Sequence, residues 1–559
     1  MTATDPFLMD LNAQNLRPRD YALKLECTLN AQQIRAVAPI VCTIDEMWEK
    51  RTEASTCFAN GQPSERCNCL WLGAGGSGKT WAYTKVLRPL FQRFFGFGRY
   101  TAGAPTHAAA RLLGAEARTL HKLANISPNS ALHRGAIRGQ RNKNDALEQQ
   151  ILASLACIVD ELSMSAADVY HALGLRFSVK RCENWALDLS RYLQEWFGKM
   201  PIGLQFGDFL QLRPAAQASL CEWVEVPSAV EPAPLTELQE AEAPEQASNA
   251  AELGRLLFKN SMGIVVRFTG TGRFSSCASG QALVAILQHM RQGTAMTDAL
   301  WAQLQSRVYE VQQLQDLQTA PSRRAFLRAY WGALAWEQVA RLQQLRAVLE
   351  AEDAGERLYF VQAIDKPTGD VPLAPQRVLT HFGLQGITAR SGLVAFLNQP
   401  PWMKDGDYGL ALHVMLSRAT KLSDLWLIGV PERPYFEGFL HEHNKTLVDR
   451  MSLFERLSVQ NEQAAEKYIQ KLLWRGNAYV NRTLGGLVER CRDLLALALG
   501  ISFLALFEQV RHQRPLATLE EEHQASIQSK LVQSVLLAEY QASKHLNQVA
   551  FSAVGGNRK

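Results

Sequence analysis

Closely paired cysteines are missing from this chain: its 559 residues hold ten cysteines and no C-x-x-C spacing. Cysteines so few and scattered exclude a disulfide scaffold, and reduced thiols in a cytosolic or nuclear compartment are the expectation, with mitochondria left open. The one cluster, Cys57, Cys67 and Cys69, lacks the paired spacing that zinc sites favour. Long apolar runs are missing too. The longest, Leu494 to Phe507 (LLALALGISFLALF), falls short of the ~20 residues a membrane span needs, so it reads as a buried helix and no membrane partner is expected. No continuous apolar core marks the first thirty residues, and Asp5 and Asp10 argue against a transit peptide; an intracellular location is expected. Strong charge is also absent. A net charge of +5 permits a polyanionic partner without requiring one.

What remains is the balance of a globular protein, 47% apolar and 20% charged, too long for one core and consistent with two to four domains. From Leu29 to about Pro214, apolar strands alternate with helical stretches, the pattern of an α/β sheet. CLWLGA (Cys69 to Ala74), SLACIVDEL (Ser154 to Leu162) and PIGLQFGDF (Pro201 to Phe209) read as buried strands. Between Glu222 and Glu245 glutamates and prolines accumulate with no basic residue, which predicts a flexible surface insertion. Pattern resumes near Leu253 and runs to about Pro431, with QRVLTHF and LWLIGV as strands; beyond Tyr435 only helical periodicity is visible.

The chemistry begins at GAGGSGKT, which matches the phosphate-loop pattern G-x-x-x-x-G-K-[ST] between a predicted strand and a predicted helix. Gly73, Ala74, Gly75, Gly76, Ser77 and Gly78 would curl backbone N–H groups around phosphate oxygens at a helix N-terminus. Lys79 would neutralise β- and γ-phosphate charge, and Thr80 would hold Mg²⁺. A glycine-rich turn before a helix is the bland alternative. IVDE supplies a second half: Asp160 would bind the metal through water, and Glu161 would polarise the attacking water. ATP and Mg²⁺ are the cofactors this pairing implies.

GAGGSGKT, APTHAAARLL (Ala104 to Leu113), TLHKL (Thr119 to Leu123), VDELSM (Val159 to Met164) and GDFLQLRP (Gly207 to Pro214) follow one another as in superfamily-1 DNA helicases. The DELSM and GDFLQL wording most resembles the petite-integration-frequency (PIF-type) branch, superfamily 1B, relatives of bacterial RecD. The resemblance spans roughly Leu29 to Pro431 and is best in its first half. It implies two RecA-like lobes with parallel sheets, followed here by an all-helical C-terminal region. It implies an ATP-driven, 5′-to-3′ helicase or translocase on single-stranded and forked DNA, serving repair, recombination or telomere maintenance. Residue by residue, it implies that Gln33 in LNAQQ reads adenine, that Gln211 senses the γ-phosphate, and that Asp208 supports the metal. Thr106 and His121 would touch the single-strand backbone. From the second lobe, Arg418 in LSRAT would be an arginine finger, with Arg273 in RFTGTGRF its companion in preference to Arg267.

The fifth family motif, T-x-H-K-x-Q-G-x-T, is altered. Thr380, Gln385, Gly386 and Thr388 keep the frame, the last three as candidate DNA contacts, but Phe382 and Gly383 replace histidine and lysine. A lost lysine removes one phosphate contact, the kind that dominates nucleic-acid affinity. Arg341 to Leu379 also lacks the asparagine–glycine turns of the family's small SH3-like insertion. The alternative reading is therefore a DNA-stimulated ATPase that binds or remodels without unwinding. The expected organisation is an N-terminal extension (1–28), lobe 1 (29–215) with a small basic insertion at about 125–150 that includes Arg134, Arg138, Arg141 and Lys143, an acidic insertion (216–252), lobe 2 (253–431), and C-terminal helices (432–559) available to a protein partner.

Overall fold

The computed structural model describes residues 17–25, 29–51, 61–126, 145–181, 189–215, 217–222, 243–310, 320–355 and 377–470. All belong to one compact unit, Met1–Asn477. The basic segment around Arg134 to Lys143, most of the acidic stretch, the Leu494–Phe507 run and the last part of the C-terminal region lie outside the described residues.

Two parallel sheets organise this unit, which gives it the expected α/β class. The first has six strands, β1 (Cys67–Gly73), β2 (Tyr100–Ala104), β3 (Arg118–Thr119), β4 (Ala156–Val159), β5 (Ile202–Gly207) and β6 (Ile264–Phe268), in the order β3-β2-β4-β5-β1-β6. The second has four, β7 (Tyr330–Ala333), β8 (Val378–Thr380), β9 (Leu393–Phe396) and β10 (Leu425–Ile428), ordered β10-β9-β7-β8. Every pairing within the two sheets is parallel.

Strands buried on both faces must be apolar at consecutive positions, and β1 shows why CLWLG reads as it does. Leu70 and Leu72 enter the core on one face, while Cys69 and Trp71 enter the core on the other. β4 divides the same way, Cys157 and Val159 against Ala156 and Ile158. The core holding Leu70 and Val159 continues into the second sheet through Leu393, Ala395 and Met415, so the two sheets share one apolar body. The Ala31–Glu49 helix starts at a reciprocal cap: Asn30 Oδ1 accepts from Gln33 N at 3.0 Å, and Asn30 N donates to Gln33 Oε1 at 2.9 Å.

Two boundaries differ from the sequence reading. β6 lies beside β1, with Trp71 opposite Val266, so the first sheet does not close near residue 215 but takes a strand from the region assigned to lobe 2. Residues 243–252, assigned to the acidic insertion, belong to the Ala243–Ser261 helix. The physical reason is the same for both. Leu253, Leu257 and Phe258 form an apolar face that buries against the first lobe, and composition alone does not show which surface such a face covers. Downstream, the chain carries the Arg433–His443 helix and continues helical over 445–470, and that last stretch turns back to the first sheet, where Phe454 stacks on Phe209 at 5.5 Å.

Close helix contact has one sharp requirement. A Cβ on Gly254 would lie 1.8 Å from the Ala167 carbonyl oxygen of the Ala167–Arg181 helix. Alanine normally stabilises an exposed helix interior by about 1 kcal/mol over glycine. Here Gly254→Ala should destabilise by about 1–3 kcal/mol, the range for overpacked cores, as read by urea unfolding. Unchanged or raised stability would mean that the two helices are not in contact.

Candidate nucleotide site in the cleft between the sheets

The phosphate loop leaves β1 at Gly73 and enters a helix at Lys79. Gly76 and Gly78 take left-handed backbone angles, φ 85° and 99°, which aim successive N–H groups inward and which side-chain-bearing residues rarely adopt. Lys79 is buried, and its Nζ donates to Gly73 O at 2.5 Å, Ala74 O at 3.1 Å and Ser77 Oγ at 3.5 Å. Burial lowers the Lys79 pKa, against the pull of Asp208, Glu161 and Asp160.

Arg418 is 1% exposed, the residue after the Asp405–Leu416 helix and Ser417. Its Nε donates to Val414 O at 3.0 Å and its Nη2 to Ser417 Oγ at 2.8 Å. Arg273 Nη1 donates to Ser417 O at 3.0 Å. Both point at the loop: a methyl group on Gly75 would lie 3.0 Å from Arg273 Nη1, 3.2 Å from Arg418 Nη2 and 3.3 Å from Gln211 Nε2. Burial and the neighbouring Arg273 depress Arg418 to about 9. Neither arginine forms an ion pair among the described residues. One assignment needs correction: Arg273 does not rise from a strand of the second sheet but stands five residues past β6 of the first, tied across by Ser417 and by Ser275 N donating to Thr420 O at 2.8 Å. Arg267, the rejected choice, faces away and pairs with Glu455.

Three carboxylates oppose these cations. Asp160 ends β4, and its Oδ1 accepts from Glu161 N at 2.7 Å; burial first, then Glu161, pushes its pKa well up. Glu161 takes a left-handed backbone, φ 54° and ψ 49°, which turns its side chain out of the strand direction and into the cleft. Asp208, after β5, is clamped by Arg291 through Nη1–Oδ2 at 2.7 Å and Nη2–Oδ1 at 3.0 Å, which holds its pKa below the usual range despite burial. Gln211 Nε2 donates to Asp208 Oδ2 at 3.3 Å, and Gln211 Oε1 is buried without a hydrogen-bond partner among the described residues. The sequence reading missed Arg291. An arginine in the last turn of the Ala278–Gln292 helix reads as an ordinary dipole-compensating cation.

A hard dication fits what is present. Thr80, next in the chain to the buried Lys79, and Asp160, buried just after β4, offer the hydroxyl and carboxylate oxygens that such an ion takes.

Gln33 lies against the phosphate loop. It is buried, its Oε1 completes the helix cap, and its Nε2 donates to Gly78 O at 3.2 Å, so its amide braces the loop. Among the candidate DNA contacts, Thr106 caps the His107–Leu113 helix by accepting from Ala109 N at 3.2 Å, and His121 lies in the Leu120–Ala124 helix after β3. Gly386, φ 84°, faces that first helix, its Cβ position 4.0 Å from Leu112 Cδ1. Thr388 follows on the same loop, its O accepting from Arg390 N at 3.0 Å. Gln385 parts company with this group: its Nε2 donates to Glu161 Oε2 at 3.2 Å, on the nucleotide side.

Burial of neutral histidines gives the site a pH signature. Desolvation, aided by Arg291, lowers His413 from 6.5 to about 3, and desolvation lowers His381 to about 4. Below pH 6.5 the unfolded chain takes up protons that the folded chain refuses, so stability falls as pH falls toward the folded values. Each histidine contributes a slope of up to about 1.4 kcal/mol per pH unit in that window. His413→Asn should flatten the urea stability slope between pH 6.5 and 5, and an identical slope would contradict burial of a neutral imidazole.

No family model matches the chain, and no curated protein matches it. Solved structures do. A Bacteroides Pif1 bound to ssDNA is 14% identical, with a TM-score of 0.43, covering 74% of this chain and 97% of its own. A Pif1 helicase from Candida albicans is 14% identical at a TM-score of 0.44, over 70% and 96% respectively. A Bacteroides Pif1 helicase in complex with ADP-AlF3 and ssDNA is 15% identical at 0.44, over 70% of this chain and 94% of its own.

Proposed function

We propose that this chain is an ATP-dependent DNA helicase or translocase of the PIF-type branch, and that hydrolysis occurs at the Gly73–Thr80 loop. One observation carries the reading. Two guanidinium groups, Arg273 and Arg418, converge on Gly75 while Lys79 donates to Gly73 O and Ala74 O of the same loop, and neither arginine forms an ion pair among the described residues. Buried charge of that kind demands an anion, and a triphosphate on a phosphate loop supplies one.

The residues divide the work. Loop N–H groups and Lys79 bind the β- and γ-phosphates. Mg²⁺, held by Thr80 and Asp160, would supply charge neutralisation at those phosphates when bound. Glu161 takes the proton of the attacking water, while Arg273 and Arg418 offset charge on the transferring phosphoryl group. Asp208, clamped by Arg291, holds Gln211 at the end of the loop. Because Arg418 stands between β9 and β10 of the second sheet and Lys79 follows β1 of the first, phosphate binding draws the two together and release lets them part. Movement along a single strand follows from alternating grip. Thr106, His121, Gly386 and Thr388 are the proposed strand contacts, 5′-to-3′ polarity follows the family resemblance, and repair, recombination or telomere maintenance is the proposed setting.

A second reading has its own observation. Gly383, in place of a lysine, only donates its N–H to Thr380 Oγ1 at 3.1 Å, and Phe382 lies against His381. A chain that has lost this cation could hydrolyse ATP on DNA without parting strands.

Lys79→Ala should cut ATP turnover by about 100-fold or more, and Arg418→Ala by about 1,000-fold, the scale of a lost transition-state cation. Turnover that persists in Lys79→Ala would remove the site. Single-stranded DNA should stimulate wild-type hydrolysis, and indifference to DNA would remove the motor. A forked duplex separates the two readings: strand displacement supports the helicase, whereas stimulated hydrolysis without displacement supports the remodelling ATPase.

A further inference from the structure

Glu161 is the proton acceptor of the proposed hydrolysis, and the role inferred for Gln385 rests on that reading. The Glu161 carboxylate is held from the opposite sheet. Gln385 follows the short His381–Leu384 helix, whose start is fixed by Thr380 Oγ1 accepting from Gly383 N, and its Nε2 donates to Glu161 Oε2 at 3.2 Å. Gln385 is buried, and its Oε1 has no hydrogen-bond partner among the described residues. An amide tethered at its nitrogen thus presents an unmatched acceptor beside a carboxylate. Two acceptors side by side suit one small molecule with two hydrogens to give.

We propose that Gln385 is a positioning residue for the attacking water. Nε2 fixes the Glu161 carboxylate, Oε1 accepts one hydrogen of the water, and Glu161 accepts the other. In the step itself the water oxygen bonds to the γ-phosphorus. The bond from that phosphorus to the β–γ bridging oxygen breaks, its electron pair leaves with ADP, and the proton passes to Glu161. Gln385 exchanges no proton.

The next residue gives this arrangement its consequence. Gly386 turns the chain at φ 84° toward Leu112 of the first sheet's helix, the face proposed to meet the nucleic-acid strand. A strand pressing on Gly386 or Thr388 moves the backbone that carries Gln385. Occupancy of the strand path and alignment of the water are thereby joined through one side chain. The fifth motif's Gln385 acts on the nucleotide side, whereas its Gly386 and Thr388 act on the strand side.

The test uses the full chain as Gln385→Ala, Gln385→Glu and, for reference, Glu161→Gln. The readouts are ATP hydrolysis with saturating oligothymidine, KM for ATP, and oligothymidine Kd by anisotropy. Gln385→Ala should lower kcat by about 10- to 100-fold, as for loss of one acid–base positioning contact, with KM and Kd within about twofold of wild type. Gln385→Glu keeps the side-chain length but has no amide N–H to donate to Glu161, so its kcat should fall by a similar factor, again with KM and Kd within about twofold of wild type. Wild-type kcat in Gln385→Ala overturns the proposal. So does a weakened oligothymidine Kd with kcat restored at saturation, the behaviour of a plain DNA contact. Should Gln385→Ala fail to bind ATP or to fold, Gln385→Glu decides, and wild-type kcat in that variant overturns the proposal. Turnover that survives Glu161→Gln instead refutes the role of Glu161, a failure of the underlying reading.

Discussion

Arg273 and Arg418 repel each other beside Gly75, and with Arg418 buried and Arg273 half-buried, much of the water that would screen them is gone. Their neighbours do not cancel the charge. Asp208 is already committed to Arg291, which leaves Lys79 and the two arginines facing Asp160 and Glu161. Such an arrangement is costly unless a ligand completes it, and that ligand must bring negative charge to the glycine loop. The surrounding structure is explained by that demand. Ser417 holds both arginines by its carbonyl and hydroxyl, Gln33 braces Gly78, and Arg291 keeps Asp208 ionised and fixed.

Several of these ties cross from one sheet to the other. Arg273 reaches Ser417, Gln385 reaches Glu161, and Arg213 Nη2 reaches Asn444 Oδ1 at 2.7 Å. The helical stretch at 445–470 adds a return path, pairing Glu455 with Arg267 on β6 and Glu462 with Arg35 on the loop-bracing helix. Exposed pairs of this sort contribute little energy, so the stacked Phe209 and Phe454 carry more of that contact than the charges do. Thus the polar links inside the cleft are few and specific, and the packing that keeps the sheets near each other lies outside it. A cleft built so can change its charge without losing its frame.

What the sequence revealed and what it hid divide along one line. Gly73 to Thr80, Asp160 and Glu161 are legible because each is a local pattern: a turn that needs glycine, or a strand that ends in acids. Arg418 was singled out through the residues that flank it; of Arg273 and Arg267, it is Arg273 that lies against Gly75, while Arg267 pairs with Glu455. Arg291 and the inward role of Gln385 were hidden, because each acts on a residue far away in the chain, Asp208 and Glu161. The same holds for β6. Its five residues look like any buried strand, and nothing local says that they pair with β1 rather than with β7. Composition misread residues 243–252 for a related reason: a helix that is polar on one face differs from a solvated segment only by what it packs on.

The backbone at Glu161 shows how the sheet makes chemistry possible. A left-handed conformation costs a non-glycine residue of order 1–3 kcal/mol and persists only where its surroundings over-determine it. Here they do. Asp160 N donates to Gly103 O at 2.9 Å, holding the end of β4 against β2, and Asp160 Oδ1 receives the Glu161 N–H. On the other side, a Cβ on Gly207 would lie 2.8 Å from Leu162 N, so the bare backbone of β5 is what allows the chain to turn there. Without that turn, alternation along β4 would send the side chains of Asp160 and Glu161 to opposite faces of the sheet. With it, the Glu161 carboxylate stays close enough to raise the proton affinity of Asp160, and it comes within reach of an amide from the opposite sheet. The strain is thus the means by which one strand end can turn two carboxylates, those proposed to hold the metal and to take the proton, toward one site.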